Sequence, residues 1–232
     1  MHYRNDTPPY KGFYLNPSRH GMGYAPEILE RLLVLMCFIA HQYPSGQFIR
    51  LDLRQPLWFA GEDFTIRVLI PFIRDFKQEL KRQEKCEAYY LWAREQDSTR
   101  SSHSHYHFVW LLGNKANRPY EQILELSERV LGNKLGGDAD GLIHFCKTDE
   151  YGRKQKNGRF FKEKGVLSES EFRECFRWGA YLAKNWTKNS LPFNTNRFNS
   201  SNLPDWAHRF DWENWIHHQF SLLENYAPEH HF

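Results

Sequence analysis

The chain has 232 residues, 41% of them apolar and 16% aromatic, which is too rich in core-forming groups for a disordered segment and long enough for one decorated domain or two small ones. Its four cysteines, Cys37, Cys86, Cys146 and Cys175, lie far apart with no Cys-x-x-Cys; this excludes a zinc ribbon and a dense disulfide framework and leaves reduced thiols in a cytosol as the expectation. The net charge of +3 is unevenly spread, because residues 144–200 hold 12 Lys or Arg against 6 Asp or Glu, a density that suits a solvated face or a phosphate backbone.

The first 24 residues, rich in Pro, Gly and Tyr, read as irregular and carry no apolar run of the secretion-signal kind. After Pro26, Ile28, Leu32, Leu35, Met36 and Ile39 recur at helical spacing, and the apolar run at 32–40 is too short to span a bilayer. A Pro-Ser-Gly turn at 44–46 precedes an alternating strand with Ile49, Leu51 and Leu53 on one face and Arg50, Asp52 and Arg54 on the other, read as half-buried. Residues 62–85 read as a second helix that Pro71 kinks or interrupts. Strands over 87–95 and from 103 onward form a hairpin across a polar connection, Gln96 to Ser104, with a long mobile tip. A helix over roughly 119–132, a short strand over 142–148 and a basic loop through 164 follow. Ser168 and Glu171 make a capping box for a helix through about 185. The tail is an Asn/Ser-rich linker and an aromatic helix over about 205–225, whose commonest use is to cover the sheet. The expected fold is α+β: a small antiparallel sheet, compatible with a ferredoxin-like or split βαβ core, with helices packed on it and extra N- and C-terminal helices.

The chemistry concentrates in the hairpin. His103, His105 and His107 fall on one face of a strand whose other face carries Tyr106, Phe108, Trp110 and Leu112. Pairing brings Glu95 opposite the neighbourhood of His105. Two imidazoles and a carboxylate, with no thiolate, suit Mg²⁺ or Mn²⁺ better than structural zinc, and His103 and Asp97 compete for a ligand place. On the later helix Phe172, Phe176, Ala180 and Ala183 make an apolar stripe. Arg173, Arg177, Tyr181, Lys184 and Lys188 make a parallel stripe of cations around one tyrosine. A phenol needs nearby positive charge or metal to act as a nucleophile at neutral pH, and Lys184 could supply it. The bland alternatives are a surface carboxylate paired with Arg94 or Arg100 and a helix face that snorkels its basic stems.

Taken in order, Glu95, His105-Tyr106-His107 and Tyr181-Leu-Ala-Lys184 resemble the HUH endonucleases that start rolling-circle replication. More narrowly, LWARE, SHYHFVWLL, GLIHF and AYLAKNWTK are similar to the inovirus-type replication initiators, relatives of the filamentous-phage gene II product, over about residues 45–200. Family members carry Arg-x-Phe-Gly after the Tyr helix, where this chain has Arg197-Phe198-Asn199-Ser200. The resemblance implies a nuclease core at 45–200 between an N-terminal segment, 1–44, and a C-terminal aromatic helix, 201–232. It implies that His105, His107 and Glu95 hold Mg²⁺ or Mn²⁺, that Tyr181 forms a 5′-phosphotyrosine with Lys184 assisting, and that Arg173, Arg177, Lys188 and Arg197 contact DNA. The implied partners are single-stranded origin DNA and a host helicase and polymerase, in a bacterial cytoplasm with no membrane attachment. A transposase or relaxase would use the same chemistry, a DNA-binding regulator would keep the fold without cleavage, and a phosphoesterase would need the metal site alone.

Overall fold

A computed structural model of the chain describes residues 7–16, 23–59, 64–96, 104–114, 120–146, 148, 154, 156–184 and 197–226. The first helix, α1 (Pro26–Gln42), starts with proline at its first turn, where the missing N–H costs nothing, and leads into strand β1 (Gly46–Arg54). A helical stretch follows whose regular part is α2 (Ile70–Glu79), with wider five-residue turns on either side at Thr65–Leu69 and Leu80–Glu84. The expected kink at Pro71 is absorbed by the first of these turns, in which the Ile70 N–H reaches back to the Thr65 carbonyl. Strands β2 (Glu87–Gln96) and β3 (Ser104–Gly113), helix α3 (Tyr120–Leu135) and strand β4 (Ile143–Phe145) complete a β1-α2-β2-β3-α3-β4 unit.

β3 lies antiparallel between β1 and β2, while β4 runs antiparallel on the far side of β1. That is the split βαβ arrangement, and α2 and α3 cover one face of it. The expected mobile tip, Gln96 to Ser104, lies mostly outside the described residues.

The segment expected to be a basic loop contains a hairpin, β5 (Arg159–Glu163) and β6 (Val166–Leu167). Its two turn residues, Lys164 and Gly165, have φ of 50° and 86°, the twist that a two-residue hairpin requires. β5 pairs with the start of β1 and β4 with its end. Between them the Asn157 side chain takes the place of a strand: Oδ1 accepts the Arg50 N–H at 2.9 Å and Nδ2 donates to the Arg50 carbonyl at 2.5 Å. At the opposite edge β7 (Phe198–Ser200) pairs with β2.

Helix α4 (Glu169–Gly179) opens with Ser168 accepting the Glu171 N–H, as the capping box predicts. It stops earlier than expected: Ala180–Ala183 tighten into a 3₁₀ turn and Lys184 is extended. The aromatic tail is a short turn, Asp205–His208, followed by α5 (Trp212–Tyr226). Instead of lying on the sheet, α5 packs outside α1 and α4, with Trp212 edge-on to Phe38 and Phe220 edge-on to Phe172.

Both faces of the sheet are therefore buried. One carries Ile49, Leu51, Leu53, Trp92, Tyr106, Phe108 and Trp110 under α2 and α3. The other carries Phe48, Leu91, Val109 and Leu111 under α1 and α4. β1 is not half-buried as its alternation suggested, since Arg50 on its polar face is enclosed, as is Gln47 on the other face. All four cysteines are free and buried, and among the described residues no helix is long and apolar enough to cross a membrane.

Candidate functional site

The face under α1 and α4 changes character along the strands. Phe48, Leu91 and Leu111 give way, two residues at a time, to Arg50, Asp52 and Arg54 on β1, His107 and His105 on β3, and Glu95 on β2. Register places Asp52 opposite His107 and His105 between Arg54 and Glu95. Ala93 is the β2 residue opposite His107, and its small side chain leaves room for Glu95 to reach diagonally.

His107 is consequently held from both sides. Its Nδ1 lies 2.7 Å from Asp52 Oδ1 and its Nε2 2.9 Å from Glu95 Oε2. Burial alone would favour the neutral ring, but the two carboxylates outweigh it and raise the His107 pKa to about 9. Burial likewise works against the charge of Asp52, yet His107 and Arg50 hold that carboxyl well below the usual range. His105, half-buried, has its pKa lowered by burial and by the charges of His107 and Arg54, which favours the neutral ring. Cys146 completes this wall, its thiol raised to about 12 by burial.

Tyr181 arrives from above. Had α4 continued, position 181 would have carried on round the helix; the 3₁₀ turn instead lays the ring against His107, with centroids 5.2 Å apart and planes at 76°. The Arg50 guanidinium lies 4.1 Å from the same ring centroid and the Lys184 ammonium 4.8 Å. Lys184 is only 1% exposed, and its backbone is fixed by a bridge to Tyr24 and by its N–H bond to the Tyr181 carbonyl. Gly179 permits this approach, because a Cβ there would sit 2.8 Å from a Leu32 methyl and 3.2 Å from the Phe48 ring.

The structure thus brings together His105, His107, Glu95, Tyr181 and Lys184. It adds Arg50 and Asp52, which the sequence put on the polar face of a half-buried strand and which the pairing of β1 with β3 sets beside His107. Arg173 and Arg177 do not join the site. Arg173 binds Glu169 and the Gly12 carbonyl, with its guanidinium over Phe13 and Phe220, and Arg177 binds Glu174 and Asn16. The row of cations on one helix face is therefore two intramolecular clamps followed, past the 3₁₀ turn, by a buried lysine. Arg197 is exposed at the start of β7, its carbonyl accepting the N–H of Arg94, next to Glu95. His103, Asp97 and Lys188 lie outside the described residues.

His105, His107 and Glu95 are the residues that would hold a hard divalent cation, a donor set of two imidazoles and a carboxylate that suits one, and Asp52 beside Nδ1 would orient the His107 ring. In the arrangement described, both His107 nitrogens face carboxylates, and among the described residues no group of three or more His, Cys, Asp or Glu side chains is placed to hold a metal ion.

No curated protein matches the chain. A family model described as the YagK/YfjJ C-terminal domain matches residues 18–200, a span that runs from before α1 to the end of β7 and includes every side chain of the site. The chain belongs to the YagK/YfjJ C-terminal domain family.

Proposed function

We propose that the protein is a metal-dependent nickase of single-stranded DNA that acts through a covalent 5′-phosphotyrosine at Tyr181 and serves to initiate rolling-circle replication. The observation that carries this reading is the seating of the Tyr181 ring against His107 with two buried cations, Arg50 and Lys184, on it. A tyrosine kept only for packing has no need of that company. Positive charge favours the phenolate and attracts a phosphodiester.

In the reaction the Tyr181 oxygen forms a bond to phosphorus and the bond from phosphorus to the 3′ oxygen breaks. The phenol proton leaves and the 3′ oxygen gains one, so a 3′-hydroxyl is released. The reverse step, with that hydroxyl attacking the phosphotyrosine, reseals a strand. His105, His107 and Glu95 would hold Mg²⁺ or Mn²⁺, which would polarise the phosphoryl oxygens. Lys184 neutralises charge beside the phenol, and Asp52 orients His107. The released hydroxyl suits extension by a host polymerase behind a host helicase, in a bacterial cytoplasm.

The test is incubation with single-stranded DNA and Mn²⁺ followed by denaturing electrophoresis. Tyr181→Phe removes only the nucleophile, and His105→Ala changes a half-buried ligand without opening the His107 ion pairs. A protein band carrying DNA, lost in both variants, is the expected result. One observation favours a second reading, a regulator that binds DNA without cutting: both nitrogens of His107 are occupied by carboxylates. DNA that is bound but never attached, whatever divalent metal is supplied, selects that reading.

A further inference from the structure

Arg50 stands on the Tyr181 ring, and its environment is unusual for a buried arginine. The side chain is 7% exposed, and its guanidinium stands 3.8 Å from Asp52, too far for a bidentate pair. Asp52 has its short contact, 2.7 Å, with His107 instead. The Arg50 Nε–H has no hydrogen-bond partner among the described residues. A buried donor on a charged group left in this state is costly and calls for an acceptor that arrives from outside.

The backbone around it is rigid. Asn157 holds both the N–H and the carbonyl of Arg50, and β3 supports the strand from the other side. The side chain is confined between Tyr181, 4.1 Å from the guanidinium carbon, and Trp178, at 6.0 Å. A guanidinium stacked on aromatic rings uses its faces and leaves its N–H edge to bond in plane, the geometry that suits a tetrahedral oxyanion.

We propose that Arg50 is the phosphate-binding residue of the site, holding the non-bridging oxygens of the phosphoryl group that Tyr181 attacks and later carries. The assignment rests on the nicking reading for the identity of the phosphate, a DNA phosphodiester. It rests on the geometry alone for the anion subsite. The guanidinium is already beside the phenol, so it reaches the same phosphorus centre whether the group is on DNA or on tyrosine.

The experiment compares the full chain with Arg50→Lys and Arg50→Gln, and uses Arg82→Ala, an exposed arginine on the far face, as the control. Two readouts are taken: the rate of covalent DNA attachment at saturating oligonucleotide and Mn²⁺, and the rise in melting temperature caused by inorganic phosphate over chloride at equal ionic strength. Loss of one preorganised donor to a developing oxyanion predicts a fall of about 100-fold or more for Arg50→Gln, with Arg50→Lys between it and the parent. The phosphate-induced shift disappears in Arg50→Gln and persists in Arg82→Ala. Attachment by Arg50→Gln at the parental rate overturns the proposal. If the parent chain never attaches DNA, the nicking reading fails and the phosphate shift alone decides the subsite: a shift in the parent that Arg50→Gln abolishes upholds it, and equal behaviour of the two removes it. Should Arg50→Gln not fold, Arg50→Lys carries both readouts, because it keeps the charge and loses the planar fork.

Discussion

His107 is the residue on which the site's electrostatics turn, and it links pH to stability. Its folded pKa, about 9, lies above the ordinary value for histidine. A group raised in this way stabilises the fold fully below about pH 6.5, and the contribution is lost as pH climbs through 9. Asp52 has the opposite sign: its pKa is lowered in the fold, so its contribution is present above about pH 4 and lost in acid. Metal-free protein is therefore expected to melt highest between about pH 4.5 and 6.5 and progressively lower toward pH 9. Asp52→Asn should flatten the alkaline side of that profile, measured as melting temperature against pH; an unchanged slope would remove His107 as its source. Asn157 is a second residue with a local argument. Asn157→Ala leaves the Arg50 N–H and carbonyl unpaired inside the sheet, and should cost about 2–4 kcal/mol in chemical denaturation.

At the scale of elements, the delivery of Tyr181 depends on how α4 ends. Ser168 caps its start, and Ser168→Ala should cost about 1 kcal/mol without altering the site. Gly179 lies in its last turn against Leu32 of α1 and Phe48 of β1. Gly179→Val would push the helix off both and carry Tyr181 away from His107, so loss of DNA attachment should exceed what a fall of about 1–3 kcal/mol in stability explains. A variant that melts lower but attaches DNA at the parental rate would show that the 3₁₀ turn positions Tyr181 by itself. The capping box and the apolar stripe of α4 were legible in the sequence because both are local patterns. The tightening at Ala180 was not, since it follows from the bridge between Tyr24 and Lys184 and from close packing against α1. The β5–β6 hairpin was legible in part: Phe160 and Phe161 before Lys164-Gly165 carry a strand-and-turn signal, which the density of basic residues around them obscured.

Across the whole molecule, the chain's two ends share one core with the sheet. Phe13 from the N-terminal segment packs on Phe176 of α4 at 4.8 Å, and Phe220 of α5 approaches both Phe13 and Phe172. Trp212 and Ile216 are buried with them. A chain ending at Asp211 should expose this aromatic cluster and aggregate, and Trp212→Ala alone should cost about 3–5 kcal/mol in equilibrium unfolding. A truncated chain that keeps the parental melting temperature would mean that α5 is an appended layer with no part in the fold.

Sequence by itself determined the α+β class and the order of most elements, because period-two and period-3.6 patterns are properties of neighbouring residues; His105, His107, Glu95, Tyr181 and Lys184 were singled out by their resemblance to a known motif order, and the fold brings them side by side. The sequence did not determine that the polar face of β1 is enclosed, so Arg50 and Asp52 were left on the polar face of a half-buried strand and Arg173 and Arg177 were placed with Tyr181. Only the tertiary structure decided those assignments. Whether a charged side chain faces water or another side chain depends on which layer covers its strand, and here that layer is built from segments more than 100 residues apart in the chain, α1 and α4.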